Sequence, residues 1–156
     1  MTLQASDLTE GLTFTEVIVE DLTRTQIVQY AGASGDYNPL HTDEVFATQV
    51  AGYPSVFAHG MLTMGMTGRM VTALVGDGNL RSFGGRFTAQ VWPGDDLTTT
   101  VTVTAVHAGG DRDGRHGGEG GDSGDGGEPT VDLALSTVNQ DGTEVFSGTA
   151  TAGIEA

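Results

Sequence analysis

Residues 60–75 form the longest apolar helical stretch of the chain, and four strand-like segments follow it. Met61, Leu62, Met64, Met66, Met70, Val71, Ala73 and Leu74 place apolar side chains on most of a helix circumference. Such a helix must be wrapped by other structure. Gly76-Asp-Gly-Asn79 stops it. Then the period changes. Leu80–Val91, Leu97–His107, Thr130–Asn139 and Thr143–Gly153 read as strands, with Thr and Val alternating in the second. Trp92-Pro-Gly-Asp95 turns between the first two, and Gln140-Asp-Gly142 turns tightly between the last two. The expected fold class is α+β, an antiparallel sheet curled round one long helix.

Before that helix, Thr13–Glu20 reads as a first strand. Asp21 or Thr23 can cap a helix running to about Ala33, with Ile27, Val28 and Tyr30 as its apolar face. Gly32, Ser34 and Gly35 end it. A short helix is expected over Asp43–Val50, and Ala51–Ser55 is a loop. At 156 residues the chain suits one domain, 1–156, with one core. Residues 108–128 interrupt it. Ten of these 21 residues are Gly, and no apolar group there offsets ordering entropy. They read as a disordered hairpin insertion, and His116 among Gly and Asp is a weak metal-ligand set.

Charge excludes several classes. The net charge is −15, and all six basic residues are Arg. Nucleic acid and anionic membranes are disfavoured partners. Residues 108–128 carry six acids and two Arg, so −11 remains spread over the rest. A diffuse acidic surface without Lys suggests adaptation to high salt, where screening relieves self-repulsion; the plainer source is a GC-rich genome. No run approaches the roughly 18 apolar residues of a membrane span. The first residues lack a basic region and apolar core, so no secretory leader is expected. With no cysteine, thiolate chemistry is absent, and a cytoplasmic setting is expected.

The chemistry concentrates in Tyr30-Ala-Gly-Ala-Ser-Gly-Asp36-Tyr-Asn38-Pro39-Leu-His41. Pro39 moves Asn38 out of the helical region. On one continuous helix Asp36 and His41 would lie about 140° apart; across a turn both can aim at one point. An ionised Asp only accepts, while a neutral His has one donor and one acceptor nitrogen. Together they can orient a water and move its proton. The plainer reading is a turn capped by Asp36 and Asn38.

Eighteen residues later comes His59-Gly60-Met61. A helix starting at Gly60 would present unpaired N–H groups and a positive dipole end to a carbonyl oxygen gaining charge, with no side chain in the way. His59 is either catalytic or a core histidine bonded to backbone. Asp36, His41 and His59 resemble a metal set only loosely, and no metal is expected. Gly65 and Gly68 each cost about 1 kcal/mol against Ala, which calls for close strand contact or room for a ligand tail. Arg86 could meet a phosphate, but pairing with an acid is the expectation.

These strings resemble the MaoC-like family of R-specific enoyl-CoA hydratases and 3-hydroxyacyl-thioester dehydratases. The match runs through Tyr30, Ser34-Gly-Asp36-x-Asn38-Pro39-Leu-His41-x5-Ala47, then Phe57-Ala-His-Gly-Met61, Arg86-Phe87 and Val91-x-Pro-Gly-Asp95-x-Leu97. The Gly/Asp insertion departs from it. The resemblance implies a hot-dog fold, a homodimer or higher oligomer, and a hydro-lyase acting on acyl-CoA. Asp36 and His41 would activate water, Asn38 would help arrange turn and water, and the Gly60 N–H would hold the thioester oxygen. Tyr30, Pro39, His59, Met61 and Gly68 would meet substrate, and no cofactor is implied. Three rivals remain: a non-catalytic acyl-thioester-binding subunit of a heterodimeric dehydratase, a hot-dog thioesterase, and a structural or interaction module, against which the reactive string argues.

Overall fold

The computed structural model describes residues 4–109 and 128–155. Five strands, β1 (Thr13–Val19), β2 (Leu80–Phe87), β3 (Leu97–His107), β4 (Thr130–Asn139) and β5 (Glu144–Gly153), form one antiparallel sheet in the order β1-β3-β4-β5-β2. Three helices, α1 (Arg24–Ser34), α2 (Pro39–Thr42) and α3 (Gly60–Val75), lie between β1 and β2 in sequence. The long helix α3 packs on the sheet, giving a hot-dog fold. The expected insertion at 108–128 lies, but for its end residues, outside the described residues.

Strict alternation makes β3 and β4 legible. Leu97, Thr99, Val101 and Val103 point into the core with Val131, Leu133, Leu135 and Thr137, while the intervening side chains face outward. Two of the inward residues are polar. Thr99 stands opposite Thr137 in register, and their hydroxyls lie 2.8 Å apart; Thr137 also meets Thr67 of α3 at 2.9 Å. This chain of three buried hydroxyls fixes the helix on the sheet. Thr137→Val keeps the volume and strands both partners, so it is expected to cost about 2 kcal/mol, read as a lower denaturant midpoint at unchanged slope.

On α3 the buried stripe is Thr63, Thr67, Met70, Val71 and Val75. The opposite stripe, Met61, Gly65, Arg69 and Ala73, is exposed, with Met61 at 55%. The expectation of a helix covered on most sides is therefore corrected: the sheet covers one face. Helix α1 starts at Thr23 rather than Asp21. The Thr23 side chain accepts from the Gln26 N–H at 3.2 Å, and Gln26 returns a bond to the Thr23 N–H at 2.8 Å. Ile27 and Ala31 are buried one turn apart, which turns Val28 outward to 53% exposure, against expectation.

The strand expected over Leu80–Val91 ends at Phe87. The Val91 carbonyl instead accepts from the Ala58 N–H at 2.8 Å. The Thr88 N–H still donates to the Val145 carbonyl of β5 at 3.0 Å, and beyond it the Val91 bond holds the segment leading into α3. The short helix expected over 43–50 is present, wound in its second half as a π-helical turn, Phe46–Val50.

Candidate active site

Helix α1 ends at Gly35, whose φ of 74° is easy only for glycine. The Ser34 hydroxyl donates to the Tyr30 carbonyl at 2.8 Å and accepts from the Asp36 N–H at 3.2 Å. Asp36 Oδ1 accepts from the Asn38 N–H at 3.2 Å, and Asn38 Oδ1 accepts from the Leu40 N–H at 3.0 Å as the cap of α2. Pro39 occupies the first turn of α2, where its missing N–H costs nothing. The capped turn is thus real, and it also aims the chemistry. Asp36 spends one oxygen on the turn and keeps Oδ2, 4.0 Å from His59 Nε2.

His41 closes α2. Its Nδ1 lies 2.7 Å from the Phe57 carbonyl, which can only accept, so Nδ1 carries the proton and Nε2 is left as an acceptor. Burial holds the imidazole pKa below its ordinary 6.5; the Phe57 carbonyl opposes this, nearby His59 adds to the lowering, and Asp36 opposes it. His59 stacks on His41 with ring centroids 3.8 Å apart and planes at 29°. It is 2% exposed; Nε2 donates to the Asp36 carbonyl at 3.0 Å, while Nδ1 is buried without a partner. Tyr30 covers its other side at 5.0 Å. His59 is thus a core histidine bonded to backbone, and its ring also lines the site beneath His41.

The ligating atoms of Asp36, His41 and His59 lie within 4.8 Å of one another. One nitrogen of each ring is bonded to a backbone carbonyl, which leaves His41 Nε2 and His59 Nδ1 as the free nitrogens. The arrangement suits proton transfer.

Gly60 is the first residue of α3, and the His59 carbonyl takes its first bonds from Leu62 and Thr63 at 3.0 and 3.4 Å. The Gly60 N–H is thereby left for a ligand. A cavity of about 220 Å³ joins Asp36, His41, His59, Gly60 and Met61 with Tyr30, Ser34 and Phe87. Asn38 and Pro39 build the turn and do not line this cavity. Gly68 lies apart from it, against Phe83, and Gly65 faces an open groove between α1 and α3. Arg86 does not pair with an acid as expected; it is exposed and makes no ion pair among the described residues.

Three contributors were missed. The Phe57 carbonyl sets the His41 tautomer, and no side-chain pattern signals a carbonyl. Phe87 lies where a side chain on Gly60 would go, its ring 2.8 Å from an added Cβ; the signal was its spacing of four from Phe83 in a strand. The third is a clamp behind the site. Glu44 Oε2 accepts from Arg24 at 2.7 Å, from the Val56 N–H at 3.3 Å and from Ser55, which also accepts from Arg24 at 2.9 Å. Its hydrogen bond from Arg24 holds the Glu44 carboxyl below its usual range. The clamp steadies residues 55–56, next to the Phe57 carbonyl.

Among solved structures, the unliganded R-hydratase PhaJ1 from Pseudomonas aeruginosa shares this fold with a TM-score of 0.76 at 23% identity, over 99% of this chain and 86% of that one. The (R)-hydratase from A. caviae involved in PHA biosynthesis gives 0.71 at 23% identity, over 94% and 97%. By sequence, 3-hydroxyacyl-thioester dehydratase Y of Mycobacterium tuberculosis is 48% identical over 71 residues, 44% of this chain and 24% of that protein. The peroxisomal enoyl-CoA hydratase 2 of Arabidopsis thaliana is 35% identical over 87 residues, 54% and 28%. The matched segment thus spans about a quarter of each of these two relatives. The family described as MaoC like domain matches residues 8–119, well over half of the sequence, and the chain belongs to that family.

Proposed function

We propose that this chain adds water reversibly to trans-2-enoyl thioesters, giving (R)-3-hydroxyacyl thioesters. The observation that carries this reading is one cavity holding an exposed carboxylate, an imidazole with an open Nε2, and an unpaired amide at a helix start. Asp36 holds a water, and His41 Nε2 takes its proton as the oxygen bonds to C3. Charge moves to the thioester oxygen, where the Gly60 N–H and the α3 dipole stabilise it. The proton then goes to C2, and the site returns to its starting state. Family membership and the hydratase and dehydratase names of the relatives support this chemistry.

The step transfers no electrons, so it calls for no redox cofactor. CoA suits the charge of −15 better than an acidic carrier protein would. A homodimer is part of the proposal: β2 is an edge strand, and Met61 and Phe87 stand exposed beside the cavity. A subunit that only binds acyl thioesters has no need of the Asp36–His41 geometry.

Crotonyl-CoA is expected to lose its conjugated ultraviolet absorbance on addition of the protein, with the R product identified by chiral analysis. Release of free thiol instead would make the protein a thioesterase, and neither signal would end the proposal. Because burial penalises protonated His41, its base form persists below pH 6.5. The acid limb of kcat/KM should therefore have its midpoint below 6.5; a midpoint above it would remove His41 as the base.

A further inference from the structure

One phenylalanine ring, Phe87, lines the site beside the start of α3, and a second, Phe83, packs two turns farther along the helix. A Cβ added to Gly60 would lie 2.8 Å from the Phe87 ring, and one added to Gly68 would lie 2.9 Å from that of Phe83. Two glycines eight positions apart on one helix thus each make room for a ring from the same strand. Phe83 and Phe87 are four apart in β2 and share a face. Fully buried Phe146 of β5 stands opposite Phe87 in register and reaches both rings, at centroid distances of 6.0 and 5.8 Å. From Gly60 to Gly68, roughly 12 Å along the helix axis, a ring of β2 thus stands against each end of the strip between α3 and β2, and a cavity of about 240 Å³ lined by Gly60, Thr63 and Phe87 lies on the far side of the Phe87 ring.

A thioester bound with its oxygen on the Gly60 N–H sends two arms away from its carbonyl carbon. The groove between α1 and α3, about 520 Å³, meets the reacting cavity at Tyr30. Gln26, Gln29 and Arg69 line it, amides and a guanidinium that suit the amides and phosphates of a CoA arm. The acyl arm is left with the other side, where Phe87 borders the cavity and Phe83 stands beyond. The reacting cavity itself is about 220 Å³, below the range of roughly 300–1,000 Å³ that holds drug-sized ligands.

We propose that Phe87 and Phe83 close the acyl end of this site and restrict it to short-chain enoyl thioesters. The proposal rests on the hydration reading and names the substrate class within it. It is tested by offering crotonyl-CoA and trans-2-octenoyl-CoA together to the wild-type protein, Phe83→Ala and Phe83→Leu, and measuring both products. Competing substrates in one preparation give a ratio of kcat/KM values that does not depend on the active fraction. Thermal melts accompany each variant, and Phe83→Leu keeps most of the packing should Phe83→Ala fold poorly.

The wild type is expected to prefer crotonyl-CoA. Phe83→Ala should raise the octenoyl-to-crotonyl ratio by at least about tenfold, the scale of one methylene in an apolar pocket, and Phe83→Leu by less. An unchanged ratio in both variants, or a wild type that already prefers octenoyl-CoA, overturns the proposal and leaves hydration standing. Failure of the wild type to hydrate either substrate removes the hydration reading itself.

Discussion

Asp36→Asn is expected to lower kcat/KM for crotonyl-CoA hydration by about a thousandfold, within the range for losing a positioned acid–base group. The exchange preserves size. An amide oxygen can still accept from the Asn38 N–H, which Asp36 Oδ1 now does at 3.2 Å, so the turn into α2 should survive. What changes is the second position, where a carboxylate oxygen becomes an NH2 group near the His59 Nε2–H. It can no longer accept a hydrogen bond from the water that His41 deprotonates. The Asp36 side chain is 55% exposed, so the melting temperature should barely move. His41→Ala should match it in rate. Wild-type turnover by a folded Asp36→Asn protein would take the carboxylate out of the mechanism.

Gly60→Ala is expected to lower kcat/KM by about a hundredfold. The new methyl would lie 2.8 Å from both Cδ2 and Cγ of Phe87. Cγ is the root of the ring, so a small rotation cannot clear the contact. Either the Phe87 side chain moves into the cavity or the start of α3 shifts, and either displaces the amide from the thioester oxygen. A second substitution separates the two effects. If crowding dominates, Gly60→Ala with Phe87→Ala should recover much of the loss relative to Phe87→Ala alone. If the double variant shows the same hundredfold deficit, the clash is not the cause.

Much of the framework could be read before any coordinates. The bounds of α3 follow from Gly60 and Gly76, those of β3 and β4 from alternation in Leu97–His107 and Thr130–Asn139, and the start of α1 follows to within the pair Asp21 and Thr23. The convergence of Asp36 and His41 was legible because Asn38-Pro39 forces a turn between them. The rest depended on partners distant in sequence. Nothing local ends β2 at Phe87; four residues on, the Val91 carbonyl bonds the Ala58 N–H, a partner distant in sequence. Nothing local distinguishes Val28 from Ile27; the direction in which α1 meets the core decides it. Phe87 reads as one more strand residue until α3 is laid beside β2. Strand alternation sends Arg86, its neighbour, to the outer face, where it makes no ion pair among the described residues.

Residues 57–60 form a single bracket. The carbonyl of the first orients the imidazole, the amide of the second is anchored to Val91, the ring of the third lies under that imidazole, and the amide of the fourth awaits the substrate oxygen. Thermal breathing of α3 against its surroundings therefore carries proton acceptor and charge acceptor together. Their separation, which a reacting thioester has to match, is set by four consecutive links of backbone rather than by the docking of one layer on another.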